Sequence, residues 1–254
     1  MTQQAMNAIN NFKSGVKGAF AKHIQRKTTF DPLNSKIFED AVTAAYGDAK
    51  RTFKGINGRA TTANSNLAQK IQTYFKAPAI PMNFDKLHND WCKEYIADLK
   101  NQGYDKTTYG QSQKVVNMTF KYLYCLDGAT SQPYDTYFDY CHVALDSNTL
   151  EWIWRNCGLD DNEKHDDWSK IKYNNCSTRK TTKLGYAEIV KRYRDNKSSY
   201  YPNTPFQAEF IFWEEIKAHL AAEAFYSSLP GAIDTDTFKN MSLKQKYTAI
   251  KKLI

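Results

Sequence analysis

An all-α fold is what this sequence predicts, and three observations carry the prediction. Apolar residues recur at helical spacing along most of the 254-residue chain, convincing alternating strands are scarce, and Pro, Gly or Asn clusters interrupt the pattern at intervals. Helices follow over about 2–21, 35–50, 64–76, 84–101, 109–126, 147–157, 185–196, 205–226 and 241–252. PLNS (32–35) halts the chain before the second of these, and APAIPMN (77–83) ends the third. Asp85 stands where an N-cap would open the fourth, and NQGYDKTTYG (101–110) separates it from the fifth. The buried side of the fifth would be Val115, Val116, Met118, Phe120, Leu123 and Tyr124, and Ser147 offers an N-cap to the sixth. YYPNTP (200–205) precedes AEFIFWEEIKAHLAAEAF, rich in helix formers, with an apolar face mixed with Glu and Lys.

No internal repeat or low-complexity block interrupts this series, and the breaks read as connectors rather than domain linkers. The most polar interval is DDNEKHDDWSKIKYNNCSTRKTTKLG (160–185), whose acidic first half gives way to Lys170, Lys172, Arg179, Lys180 and Lys183. It reads as a surface excursion, either a solvated loop or one that contacts phosphate.

With 41% hydrophobic residues the chain can bury a core without staples, as one large domain or two small lobes. The start lacks the apolar run of a signal peptide, and no segment approaches the roughly 20 apolar residues of a membrane span, so an intracellular protein is expected. Five cysteines without a CxxC pair fit reduced thiols better than a disulfide framework or a zinc knuckle, so no structural metal is expected. A formal charge of +8 and a pI near 9.0 favour an anionic partner, because neutralised phosphates release counterions. Seventeen tyrosines add rings that can stack on bases.

Two stretches concentrate the chemistry. GQSQKVVNMTFKYLYC (110–125) sets Lys114 near the start of an apolar helix, where the helix dipole and an apolar neighbourhood both disfavour the ammonium form. A neutral amine is what nucleophilic attack requires, although a lone lysine there also fits snorkelling to solvent. HVALDSNTLEWI (142–153) sets Asp146 directly before a Ser-initiated helix. A plain carboxylate in that place is stabilised by ~0.3–1 kcal/mol through the dipole.

Together the two read differently. GxxxK opening an apolar helix, then a connector, then an apolar–Asp–x–x–x–L segment, resembles the catalytic core of the helix-hairpin-helix (HhH-GPD) DNA glycosylase superfamily. The separation of Lys114 from Asp146 is similar to that of the archaeal 8-oxoguanine glycosylase branch. TPFQAEFIFW (204–213) places Glu209 one helical turn before Trp213, which resembles the acidic residue and tryptophan that hold the extruded purine in that branch. Met118 stands where the branch carries a stacking aromatic. The resemblance covers about 109–157 and 204–214. Departures are TTYGQSQ in place of an LPGVG turn, Leu145 in place of a proline before the aspartate, and Met118 itself; the iron–sulfur cysteine cluster of some members is absent.

The resemblance implies a two-lobed helical bundle within one unit spanning 1–254, a lobe of about 84–200 against one of about 1–83 plus 204–254, with the cleft between them. It implies a DNA glycosylase that excises a modified base such as an oxidised guanine. Bacterial phage-defence glycosylases, which remove a hypermodified phage cytosine such as glucosylated hydroxymethylcytosine, are a second candidate group, to which no motif in this sequence points. Lys114 would be the amine and Asp146 the carboxylate that stabilises sugar cation, relays a proton or orients water, with abasic-site lyase activity as an open option. Glu209, Trp213, Met118, Gln207 and His142 would form the base pocket, His142 alternatively being a structural histidine. Gln111, Gln113, Lys170, Lys172, Arg179 and Lys180 would contact DNA. No cofactor is expected; the partner is DNA carrying a modified base, and the protein is expected to act as a cytoplasmic, nucleoid-associated monomer. Competing readings are a non-catalytic helical nucleic-acid-binding protein and a helical protein-interaction module.

Overall fold

The computed structural model describes residues 1–53, 60–80, 83–131, 133–177, 182–199, 202–229 and 235–251. Its described residues form α1 (Gln3–Gly15), α2 (Ala21–Gln25), α3 (Ser35–Ala49), α4 (Thr61–Lys76), α5 (Phe84–Asn101), α6 (Tyr109–Tyr124), α7 (Asp135–Phe138), α8 (Ser147–Asn156), α9 (Tyr186–Asp195), α10 (Pro205–Ser227), α11 (Thr235–Lys239) and α12 (Leu243–Lys251). The fold is all-α apart from a small antiparallel hairpin, β1 (Cys176–Ser177) with β2 (Thr182–Lys183), inside the polar interval. Two residues per strand are too few for alternation to register in a sequence.

The expected helix over 2–21 is broken. Val16 is extended, and Gly18 takes φ +71°, a left-handed conformation that glycine adopts without a Cβ clash. Two N-caps also differ from expectation. Asn83, not Asp85, caps α5 by accepting the Lys86 amide at 3.2 Å, since the cap must precede the first helical residue. Asp146, not Ser147, caps α8 for the same reason. Reciprocal capping boxes, Thr108 with Gln111 and Thr204 with Gln207, open α6 and α10.

Every residue of α6 is buried, which makes it the axis of the molecule. It packs against α3 and α5 and is crossed by a tight turn at Trp168–Lys170, while α10 packs against α1 and α8. Trp152 of α8 stacks on Phe212 of α10 with centroids 3.6 Å apart. Beyond this main core, Ala222 and Tyr226 of α10 join Phe238 of α11 and Ile250 of α12 in a small satellite core.

A helix buried all round must dispose of its polar side chains. Gln113, Asn117 and Lys121 recur every four residues and therefore share one side of α6. Gln113 and Asn117 directly, and Lys121 through Glu209, serve Cys141–Leu145, a buried segment without regular structure whose backbone groups need partners. Gln113 supplies two, donating to Leu145 O at 2.8 Å and accepting from Leu145 N at 3.2 Å. Asn117 donates to Val143 O at 2.9 Å, and the Glu209 carboxylate accepts from Ala144 N at 3.2 Å.

Within the interval 160–185, the stretch Trp168–Ile171 is anchored to the start of α6. Gly110 N donates to Ile171 O at 3.0 Å, and the Thr108 hydroxyl donates to Ser169 O. A Cβ on Gly110 would lie 2.2 Å from the Trp168 carbonyl oxygen, so this close approach requires glycine. Gly110→Ala is accordingly expected to displace the Trp168–Ile171 backbone and cost ~1–3 kcal/mol, as overpacking does. An unchanged urea midpoint would contradict that contact.

Candidate active site

Asp146 is fixed by its role as a cap: its Oδ1 accepts from Thr149 N at 2.9 Å, which leaves Oδ2 free to face α6. Lys114, the sixth residue of α6, meets it there, with Nζ 2.6 Å from Oδ2. Lys114 lies beyond the first turn, where the helix dipole has largely faded, so the carboxylate and burial dominate its surroundings. Burial would raise the Asp146 carboxyl, but the Lys114 charge and hydrogen bond, with the Thr149 amide, outweigh it and bring the group down to about 2.

That shift has a sign. A carboxyl held below its ordinary ~3.9 stabilises the fold fully above pH ~4, and the contribution is lost as the pH falls through about 2. The contribution is on the order of 2 kcal/mol. Asp146→Asn is therefore expected to flatten the acid limb of stability against pH between about 4 and 2. Parallel limbs for the variant and the parent protein would contradict the ion pair.

The pair stands in the wall of a cavity of about 510 Å³. Its aromatic and apolar lining comes from Phe12, Met118, Tyr122, Trp168 and Trp213. Lys17, Arg51 and Lys217 are exposed at its edge, while Asp48 and Glu214 supply carboxylates. Neither Lys17 nor Arg51 makes an ion pair among the described residues. Lys121 also borders the cavity but is only 2% exposed. Its ammonium bonds Glu209 Oε1 at 2.9 Å and lies 4.6 Å from the Phe210 ring centroid and 4.9 Å from that of Phe12.

Of the residues expected at the site, the structure brings Lys114, Asp146, Met118 and Trp213 together on this cavity. Glu209 is not among its lining; at 2% exposure its carboxylate holds Lys121 and the Ala144 amide. Gln207 completes the α10 capping box and donates to the Tyr124 hydroxyl at 2.9 Å, because the third helical position points it back at the helix start. His142 lies in a second cavity with Tyr186 and Arg194. Its Nε2 is 2.7 Å from Asp85 Oδ1 and its Nδ1 2.9 Å from the Tyr186 hydroxyl, and burial brings it down to about 4.

The expected DNA contacts are rearranged as well. Gln111 is turned inward by its capping box and by donation to Thr52 O at 2.6 Å, and Gln113 by its bonds to Leu145, so neither presents itself to a phosphate. The start of α6 is itself covered, its Gly110 amide taken by Ile171 O. Lys170 and Lys172 are exposed; Lys170 pairs with Asp167 at 3.4 Å, and the Lys172 ammonium donates to Cys176 Sγ at 3.9 Å. Arg179 and Lys180 lie outside the described residues.

Sequence reasoning missed Phe12, Arg51, Lys121, Trp168 and Lys217. Lys121 had a signal, since it follows Lys114 by two helical turns and shares its face. The others arrive from distant elements and leave no local mark. Among the described residues no group of three or more His, Cys, Asp and Glu side chains is placed to hold a metal ion, all five cysteines are free thiols, and no helix is long and apolar enough to cross a membrane. Comparison with protein-family models, with curated proteins and with solved structures returns no match for this chain.

Proposed function

We propose that the chain is a DNA glycosylase that extrudes a modified nucleotide, excises its base and leaves an abasic site. The observation that carries this reading is the Lys114–Asp146 pair, 2.6 Å apart in the wall of an aromatic, cation-edged cavity. A base inside a duplex is out of reach, so a flipped nucleotide needs a recess with stacking walls, and Trp213, Trp168 and Met118 provide them. The two-lobed arrangement is part of the proposal. In its support, the cavity takes Lys114, Met118, Asp146 and Trp168 from the stretch assigned to one lobe and Phe12, Arg51, Trp213 and Lys217 from the stretches assigned to the other.

Chemistry follows from the short hydrogen bond. Passage of one proton from Nζ by way of Oδ2 to the departing base frees the Lys114 amine to attack, with Asp146 a carboxylate before and after. Its lone pair attacks C1′ of the sugar as the C1′–N bond breaks, and the departing base takes up that proton from Asp146. The regenerated carboxylate then faces the positive charge on the sugar, and water adds at C1′ as the C1′–Nζ bond breaks, giving the abasic sugar and restoring the Lys114 ammonium. In the hydrolytic variant the same carboxylate orients water and Lys114 only positions it.

Duplexes carrying 8-oxoguanine, uracil, an alkylated base or glucosylated hydroxymethylcytosine test the proposal, with hot alkali revealing abasic sites. Excision from at least one is expected. DNA binding without excision from any would favour the non-catalytic binding protein instead. Contact of Lys17, Arg51 and Lys217 with three phosphates would weaken binding roughly 40-fold between 50 and 200 mM salt. Salt-insensitive binding would sink both DNA readings.

A further inference from the structure

We infer that Gln113, backed by Asn117 and Tyr186, is a positioning residue of the Lys114–Asp146 pair. The inference rests on these two being the reacting groups. Asp146 follows a segment that no strand or helix holds, so the place of its carboxylate depends on whatever fixes Val143–Leu145. Gln113, fully buried, grips Leu145 at both N and O, one residue before Asp146 and one residue before Lys114.

Asn117, whose Nδ2 packs 3.0 Å from Gln113 Oε1, is held by a directed series of hydrogen bonds. Burial keeps the His88 and His142 rings neutral, so each has one N–H to give. His142 gives its proton to Asp85 Oδ1 at 2.7 Å, which leaves Nδ1 to accept from the Tyr186 hydroxyl at 2.9 Å. The Tyr186 oxygen then accepts from Asn117 Nδ2 at 2.8 Å, and His88 Nε2 donates to Asn117 Oδ1 at 2.8 Å. Asn117 Nδ2 also lies 3.0 Å from Gln113 Oε1 and 2.9 Å from Val143 O. Asn117 is thus fixed from both ends, and its amide cannot turn without breaking a bond. The series runs from Asp85 at the surface to the backbone beside Asp146, and its members lie outside the cavity lining that holds Lys114.

The test compares Gln113→Met, close in volume but unable to bond Leu145, with Tyr186→Phe, which removes a single hydroxyl from the series. NMR titration of the Asp146 carboxyl and hydrogen exchange of the Leu145 amide read the positioning without any substrate. In Gln113→Met the Asp146 titration is expected to move upward, and the Leu145 amide to exchange at least tenfold faster. On a duplex carrying one 8-oxoguanine, or one carrying glucosylated hydroxymethylcytosine, kcat is expected to fall at least tenfold with KM within twofold. Tyr186→Phe is expected to move each readout in the same direction by less. An unmoved Asp146 titration in a folded Gln113→Met protein overturns the inference; if that variant does not fold, an unmoved titration in Tyr186→Phe overturns it. A parent protein silent on both duplexes counts against the glycosylase reading alone, because the titration and exchange still decide the positioning role.

Discussion

Lys114→Gln is expected to abolish base excision while leaving DNA binding within about twofold. The substitution keeps length and polarity but cannot provide an amine lone pair, and it leaves Asp146 buried without its cation. Loss of a positioned proton-transfer group alone costs roughly 10²–10⁴-fold in rate, and loss of a nucleophile costs at least as much. Borohydride trapping sharpens the outcome. A covalent adduct on the parent protein that disappears in Lys114→Gln assigns the attack to this amine, whereas an adduct that persists would place the nucleophile elsewhere. Excision without any adduct in the parent protein would assign Lys114 the lesser role of helping Asp146 direct water.

The second large effect concerns stability. Lys121 and Glu209 are each 2% exposed and face one another at 2.9 Å. Removing one member of such a pair strands the other charge out of water, at a cost of ~3–5 kcal/mol. Glu209→Ala is therefore expected to lower the urea midpoint severely, the more so because the Ala144 amide loses its acceptor too. Lys121→Met combined with Glu209→Leu is expected to recover most of the loss, since two well-packed apolar side chains restore the balance of buried charge. A Glu209→Ala protein within 1 kcal/mol of the parent would show that the pair is not buried in solution.

The sequence carried its helical plan openly where the signals are local. Residues 84–101 form α5 as expected, and the pattern behind 109–126 and 205–226 corresponds to α6 and α10 within two residues. The break inside 2–21 leaves no mark in the periodicity, because SGVKG sits in a run whose apolar spacing continues across it. At the site, Lys114 and Asp146 were legible because each has an apolar flank, Lys114 in the second turn of α6 and Asp146 directly before α8. Gln113 was not: a glutamine near a helix start reads as exposed, and only tertiary packing shows that it faces the Leu145 backbone. Glu209 failed in the same manner, since one-turn spacing from Trp213 predicts a shared face but not which of the two reaches the cavity. Phe12 and Arg51 come from elements that owe their place to α6 and α10, so nothing in their own neighbourhoods announces them.

The irregular run Cys141–Leu145 also bears on when the molecule becomes competent. Its backbone is held across sequence separations of 26, 32 and 65 residues, to Asn117, Gln113 and Glu209. Contacts that distant repay their loop-closure entropy only after the helices bearing them have docked. The amine and carboxylate are consequently expected to pair late in folding, after α6 and α10 come together. A nascent chain, or one stalled partway, carries both residues without the ion pair between them.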